Sequence, residues 1–120
     1  VNQAEFNNFC ADLPHTTHVV QWGGHDVWKV GGKIFVVASF DQEEGPRFSF
    51  KCSDLSFELL KEEPGLKPSP YLASRGQPWI QMHEKGALSD ADLKAYLEAS
   101  WKIIASGLTK KAQREMGLIE

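Results

Sequence analysis

The sequence predicts an α+β fold, an antiparallel β-sheet with helices packed on one of its faces. Three observations predict it. Apolar residues recur at helical spacing near the start of the chain and again after Ser53 and Ser89. Between Thr16 and Cys52 the pattern changes to short β-branched and aromatic runs, separated by Gly23-Gly24, Gly31-Gly32 and Gly45-Pro46. A chain of 120 residues is also the length of one domain, 1–120, able to bury roughly two-thirds of its unfolded surface around one core.

Each element has a local reason. Asn2–Asp12 sets Phe6, Phe9, Cys10 and Leu13 on one stripe of a helix, and Pro14 stops it by pushing Leu13 out of the helical region. Thr16–Trp22, His25–Val30, Lys33–Phe40 and Arg47–Cys52 then form a four-stranded meander, with the glycine pairs as tight turns and 41–46 as a looser connection. Ser53 is the N-cap of a second helix, with Asp54 in its first turn and Leu55, Leu59 and Leu60 as its buried stripe; Pro64-Gly65 ends it. Four of the six prolines fall between 64 and 78, so Lys67–Pro78 reads as an ordered, irregular loop. Trp79–His83 is a fifth strand. Ser89 opens a helix with Leu93, Tyr96, Leu97, Ser100, Trp101 and Ile104 on one side and Gly107 as its C-terminal cap, and a basic piece, Thr109–Met116, follows.

Composition narrows the function. With 42% hydrophobic and 24% charged residues the chain is an ordinary globule, and no apolar run reaches the roughly 18 residues of a membrane span. No secretory signal pattern is seen, so a cytoplasmic location is expected. The formal net charge of −3 counts against sequence-blind DNA binding by the molecule as a whole but leaves room for a local basic face. Cys10 and Cys52 sit among apolar neighbours and are read as reduced core residues.

Splitting the strands by parity gives the clearest functional hint, since successive side chains point to opposite faces unless a bulge intervenes. One face collects Trp28, Val30, Ile34, Val36, Ala38, Phe40, Phe48, Phe50, Cys52, Ile80 and Met82, which must pack on the helices. The other collects Val27, Lys29, Phe35, Val37, Ser39, Arg47, Ser49, Lys51, Trp79, Gln81 and His83, mixing basic and aromatic groups with no carboxylate. Such a face suits nucleic acid, because cations neutralise phosphates and a ring such as Trp79 offers stacking worth about 1–3 kcal/mol per base. The same aromatic and apolar groups would serve a protein- or peptide-binding module of chaperone type equally well.

These residues lie within a wider resemblance. Leu13-Pro14, Trp28-Lys-Val-Gly-Gly-Lys-Ile-Phe35, Phe50-Lys-Cys52, Leu59-Leu-Lys-Glu-Glu-Pro64, Pro70-Tyr-Leu72, Trp79-Ile80, Leu88-Ser89, Ser100-Trp101 and Leu108-Thr-Lys-Lys111 follow one another in the order and spacing of a known family. Over nearly its whole length the chain resembles the YjbR-like (MmcQ) family of small bacterial proteins. The resemblance implies a CyaY-like α+β fold and DNA binding through β-hairpin wings and a basic surface. Lys33, Lys51 and Trp79 fall on motif positions. Where the family pattern has glycine after Leu-Pro, this chain has His15.

The candidate nucleic-acid-binding residues are therefore Lys29, Lys33, Arg47, Lys51, Arg75, Trp79 and His83, with Tyr71 beside Arg75 in the proline-rich loop and a second basic cluster at Lys110, Lys111 and Arg114. Enzyme chemistry is not expected, since a nucleophile elbow, a phosphate-binding loop and a dinucleotide fingerprint are all absent. No cofactor and no metal are expected either. Cys10, His15, His18 and His25 fit no common zinc spacing. Frataxin-like proteins of the same architecture bind iron through an acidic ridge, and here the first helix offers only Glu5 and Asp12.

Overall fold

The computed structural model describes residues 1–41, 43, 45–70, 72, 73 and 76–120. In chain order its elements are α1 (Gln3–Asp12), β1 (Thr16–Gln21), β2 (His25–Val30), β3 (Lys33–Ser39), β4 (Arg47–Lys51), α2 (Asp54–Leu60), β5 (Leu66–Pro68), β6 (Trp79–Met82), α3 (Asp90–Ser106) and α4 (Lys110–Glu115). The strands form one sheet in the order β1-β2-β3-β4-β6-β5, with every neighbouring pair antiparallel. This is the α+β architecture that the sequence predicts, with the helices lying against one face.

The caps are built from the residues that favour them. Asn2, Ser53, Ser89 and Thr109 each accept a backbone N–H three residues on, satisfying a donor that the helix cannot pair itself. Leu13 is extended, as a residue before proline must be. The β2–β3 turn uses Gly31 and Gly32 at φ 57° and 77°, the two left-handed positions of a two-residue hairpin. Gly31 is required twice over, because a β-carbon there would stand 2.5 Å from Leu108 Cδ1.

On the helix side Phe6 and Cys10 of α1 and Leu93 and Leu97 of α3 close over Trp28, Val30, Val36, Phe48, Phe50, Ile80 and Met82. Phe6, Phe40 and Phe48 form an aromatic triangle with ring centroids 5.5–5.8 Å apart. Each such ring contributes about 1.5–3 kcal/mol on burial, so this face supplies most of the cohesion.

The structure corrects the sequence expectations at three places. A bulge between Trp28 and Lys29 shifts the register, so that Trp28 pairs with Val36 but Lys29 with Ile34. Phe35 is thereby turned into the core, fully buried, and Ile34 shares a row with Lys29; the expected places of these two residues are exchanged. In α2, Leu60 is buried while Leu55 and Leu59 are 71% and 63% exposed, and Phe57 packs in their stead. Leu59 and Leu60 lie about 100° apart around a helix, and the sheet takes only one of them. Finally, Leu66–Pro68 is a sixth strand inside what reads as loop. Pro68 lacks an N–H and is tolerated because β5 is an edge.

Candidate nucleic-acid interface

The register assembles the outer face, the one turned away from the helices, in cross-strand rows. The central row runs Val19, Val27, Val37, Ser49, Gln81 and Lys67 across all six strands. One neighbouring row carries Thr17, Lys29 and Ile34, and Lys51 stands opposite Trp79. Toward the other end Ser39 pairs with Arg47, and His83 follows β6 on the same side.

Charge is segregated across the sheet. Among the described residues the six strands hold five Lys or Arg, namely Lys29, Lys33, Arg47, Lys51 and Lys67, and a single acid, Asp26. Asp26 points to the helix side, buried, where its carboxylate accepts from Gln3 Nε2 at 2.9 Å and lies 2.7 Å from His18 Nε2. His18 in turn packs over the Trp28 ring, and Trp28 Nε1 donates to Asn7 Oδ1, so this polar cluster ties α1 to β1 and β2. The other acids lie on helices and connections. Lys29, Lys33 and Lys67 are in no ion pair among the described residues, unlike Lys61 and Lys102, which sit beside Glu58 and Glu98.

The cations differ in reach. Lys33 is exposed at the β2–β3 hairpin, but its pairing with the core residue Val30 sets it on the helix side of the sheet, a correction to its expected place; Lys29, Arg47, Lys51, Lys67 and His83 are half-buried. Lys51 Nζ donates to Gln77 Oε1 at 2.7 Å, tying β4 to the segment that precedes β6. Beside it on the same face Ser69 Oγ donates to Ser49 Oγ, and Gln81 Nε2 reaches the same oxygen. The aromatic half of the expected site is corrected. Trp79 is only 5% exposed, and with Phe35 in the core neither ring can be stacked on by a base or covered by a peptide. The ring that is available is Trp22, 62% exposed at the β1–β2 hairpin, where φ of 52° and two following glycines bend the chain.

Trp22 and Lys67 were both absent from the expected site. Trp22 ends the first strand as the sequence reads, a strand that neither parity list includes, while the prolines around Lys67 conceal its strand. Arg75 and Tyr71 lie outside the described residues. Lys110, Lys111 and Arg114 are exposed on α4, remote from the strands in sequence and partly explained by the dipole, which favours Arg114 in the last turn.

The remaining candidates are inert in geometry. Cys10 and Cys52 are buried, and burial pushes their thiols up to about 12 and about 11 respectively; nearby Asp26 adds to the first shift, while Lys51 opposes and Asp54 supports the second. Among the described residues no three of His, Cys, Asp and Glu are grouped to hold a metal. A cleft of about 680 Å³ between the starts of α1 and α3 has Phe40, Phe48, Met82 and Leu93 in its lining, and its one hydroxyl, Ser89, serves as a helix cap. No helix among the described residues is long and apolar enough to cross a membrane.

Fold and face together define a small α+β protein whose sheet carries a basic outer surface. The chain belongs to the YjbR family, whose model matches residues 11–103. It is 31% identical over 93 residues to the uncharacterized protein YbdF of Escherichia coli O157:H7, a match covering 76% of this chain and 73% of that one. Its fold is similar to the crystal structure of Deinococcus radiodurans protein DR2400, a DUF419 domain, with a TM-score of 0.81 at 22% identity, over 95% of this chain and 86% of the other. A Pseudomonas syringae protein of known structure is also similar, with a TM-score of 0.68 at 15% identity, over 87% and 99% of the two chains.

Proposed function

We propose that the outer face of the sheet binds DNA, with Lys29, Arg47, Lys51 and Lys67 contacting phosphates and Trp22 stacking on unpaired bases. The observation that carries this reading is the segregation of charge: in a chain with more acids than bases, four of the five strand cations share the outer face and the strands turn their one acid inward. Affinity then comes from counterion release and is independent of sequence. The reading is non-enzymatic and needs no cofactor.

The test is a titration of labelled single- and double-stranded DNA at about 50 and 200 mM salt. Binding should weaken steeply across that range, and Lys29→Ala should flatten the dependence of log K on log salt by about 0.7–0.9. Trp22→Ala should weaken single-stranded binding more than duplex binding, by about 1–3 kcal/mol, whereas an exposed-ring role for Trp79 is not expected. Absence of binding by the folded protein at the lower salt would sink the proposal.

A further inference from the structure

The two edges of the sheet are not alike. At one edge β5 has three residues and ends in Pro68, with Pro70 just beyond, so it offers a second strand almost no backbone to pair with. At the other, β1 runs six residues, Thr16–Gln21, without proline, glycine or formal charge apart from His18, and every residue from Thr17 onward is exposed. Val19 and Val20 are 36% and 60% exposed on this strand. Edges of this length and composition are normally blunted by lysine, proline or a bulge, and the bulge here lies one strand in, between β2 and β3. We infer that β1 is the pairing edge for a second copy of this chain, joined β1 to β1 in antiparallel fashion.

A second copy is the occupant that the strand's own chemistry fits. Antiparallel pairing about Val19 sets Thr17 against Gln21 and His18 against Val20, so polar meets polar on the outer face and no two lysines or two carboxylates face each other. The two-fold axis of such a pair stands perpendicular to the sheet, which makes the contact self-complementary and closed. That axis leaves both outer faces on the same side. The lysine rows of the two copies then form one surface, with Lys29 of each copy one strand from the junction. A six-residue pairing buries less than the roughly 800 Å² per partner of a standard interface, so the dimer assembles in the micromolar range or above.

The experiment is sedimentation equilibrium from about 10 μM to about 1 mM protein, with no DNA present, so that it is independent of the DNA reading. The weight-average mass should climb from 13.4 kDa toward twice that value as concentration rises. Val20→Lys, a change at an exposed position, should hold the protein at monomer mass throughout while leaving its circular dichroism unchanged, and Val20→Thr should associate as the parent does. Amide exchange in 16–21 should slow with concentration in the parent and in Val20→Thr but not in Val20→Lys. A mass that stays monomeric up to about 1 mM overturns the inference, as does a Val20→Lys protein that associates like the parent, or concentration-dependent protection that leaves β1 untouched.

Discussion

At His15 a single backbone angle favours glycine over the residue present. Its φ is 60°, the left-handed region, which costs a residue with a β-carbon about 1 kcal/mol and costs glycine almost nothing. The side chain is exposed and makes no hydrogen bond among the described residues that would repay the strain. His15→Gly should therefore stabilise the fold by about 0.5–1 kcal/mol net of the added freedom of the unfolded chain, raising Tm by about 2–5 °C. A calorimetric Tm that falls would show that the imidazole makes a contact of greater worth. The thiols supply a pH prediction at the same scale. Burial lifts Cys10 to about 12 and Cys52 to about 11 from the ordinary 9.0, so the unfolded chain loses these protons first. The stability tied to them is complete below pH 9 and is lost as pH climbs from there through the folded values, with a slope of about 1.4 kcal/mol per pH unit per thiol. Urea midpoints of Cys10→Ala should decline less between pH 9 and 11 than those of the parent; parallel curves would remove the thiol from the account.

At the scale of elements, α3 and the sheet are joined by one hydroxyl. The bulge at Phe35 leaves its carbonyl and the Lys51 N–H without strand partners, and Ser100 fills the gap, donating to the first and accepting from the second at 3.0 Å. Ser100 is fully buried, so Ser100→Ala strands both groups away from water. The expected loss is about 2–4 kcal/mol by denaturant titration, and a loss under about 0.5 kcal/mol would mean that the ladder closes without it. The same bulge explains what was legible in the sequence. Caps, glycine turns and the α3 stripe are local signals, and they place Ser53, Ser89, Gly31, Leu93 and Leu97 correctly. Phe35 is misplaced because one extra residue reverses every parity beyond it. Leu55 and Leu59 are misplaced because a leucine-rich helix has more than one apolar arc, and only packing chooses between them. Trp79 lies on a strand as read, but the burial of its ring is set by tertiary packing, which strand parity does not report. Lys29, Arg47 and Lys51 keep their expected face because they lie outside the shifted stretch of β3, whereas Lys33 lies within it and is turned with Phe35 to the side of Val30.

Across the whole molecule, net charge and charge placement make opposite forecasts, and only placement favours an anionic partner. A net charge of −3 repels DNA at long range, and at about 0.15 M salt that repulsion is screened beyond roughly 8 Å. Contact with phosphates is therefore decided by the face presented. Two double reversals separate these effects because they alter net charge equally. Lys29→Glu with Lys67→Glu changes two cations of the outer face, one near each edge of the sheet, whereas Lys110→Glu with Lys111→Glu changes two exposed cations of α4. If placement governs, the sheet pair should abolish measurable DNA binding at about 50 mM salt, a loss of tenfold or more, while the α4 pair shifts it about threefold or less. Equal losses would assign binding to overall charge, and a larger loss from the α4 pair would move the interface to the C-terminal helix. Both variants change exposed or half-exposed side chains only, so each should retain the thermal midpoint of the parent to within a few degrees, and the titration then reads location alone.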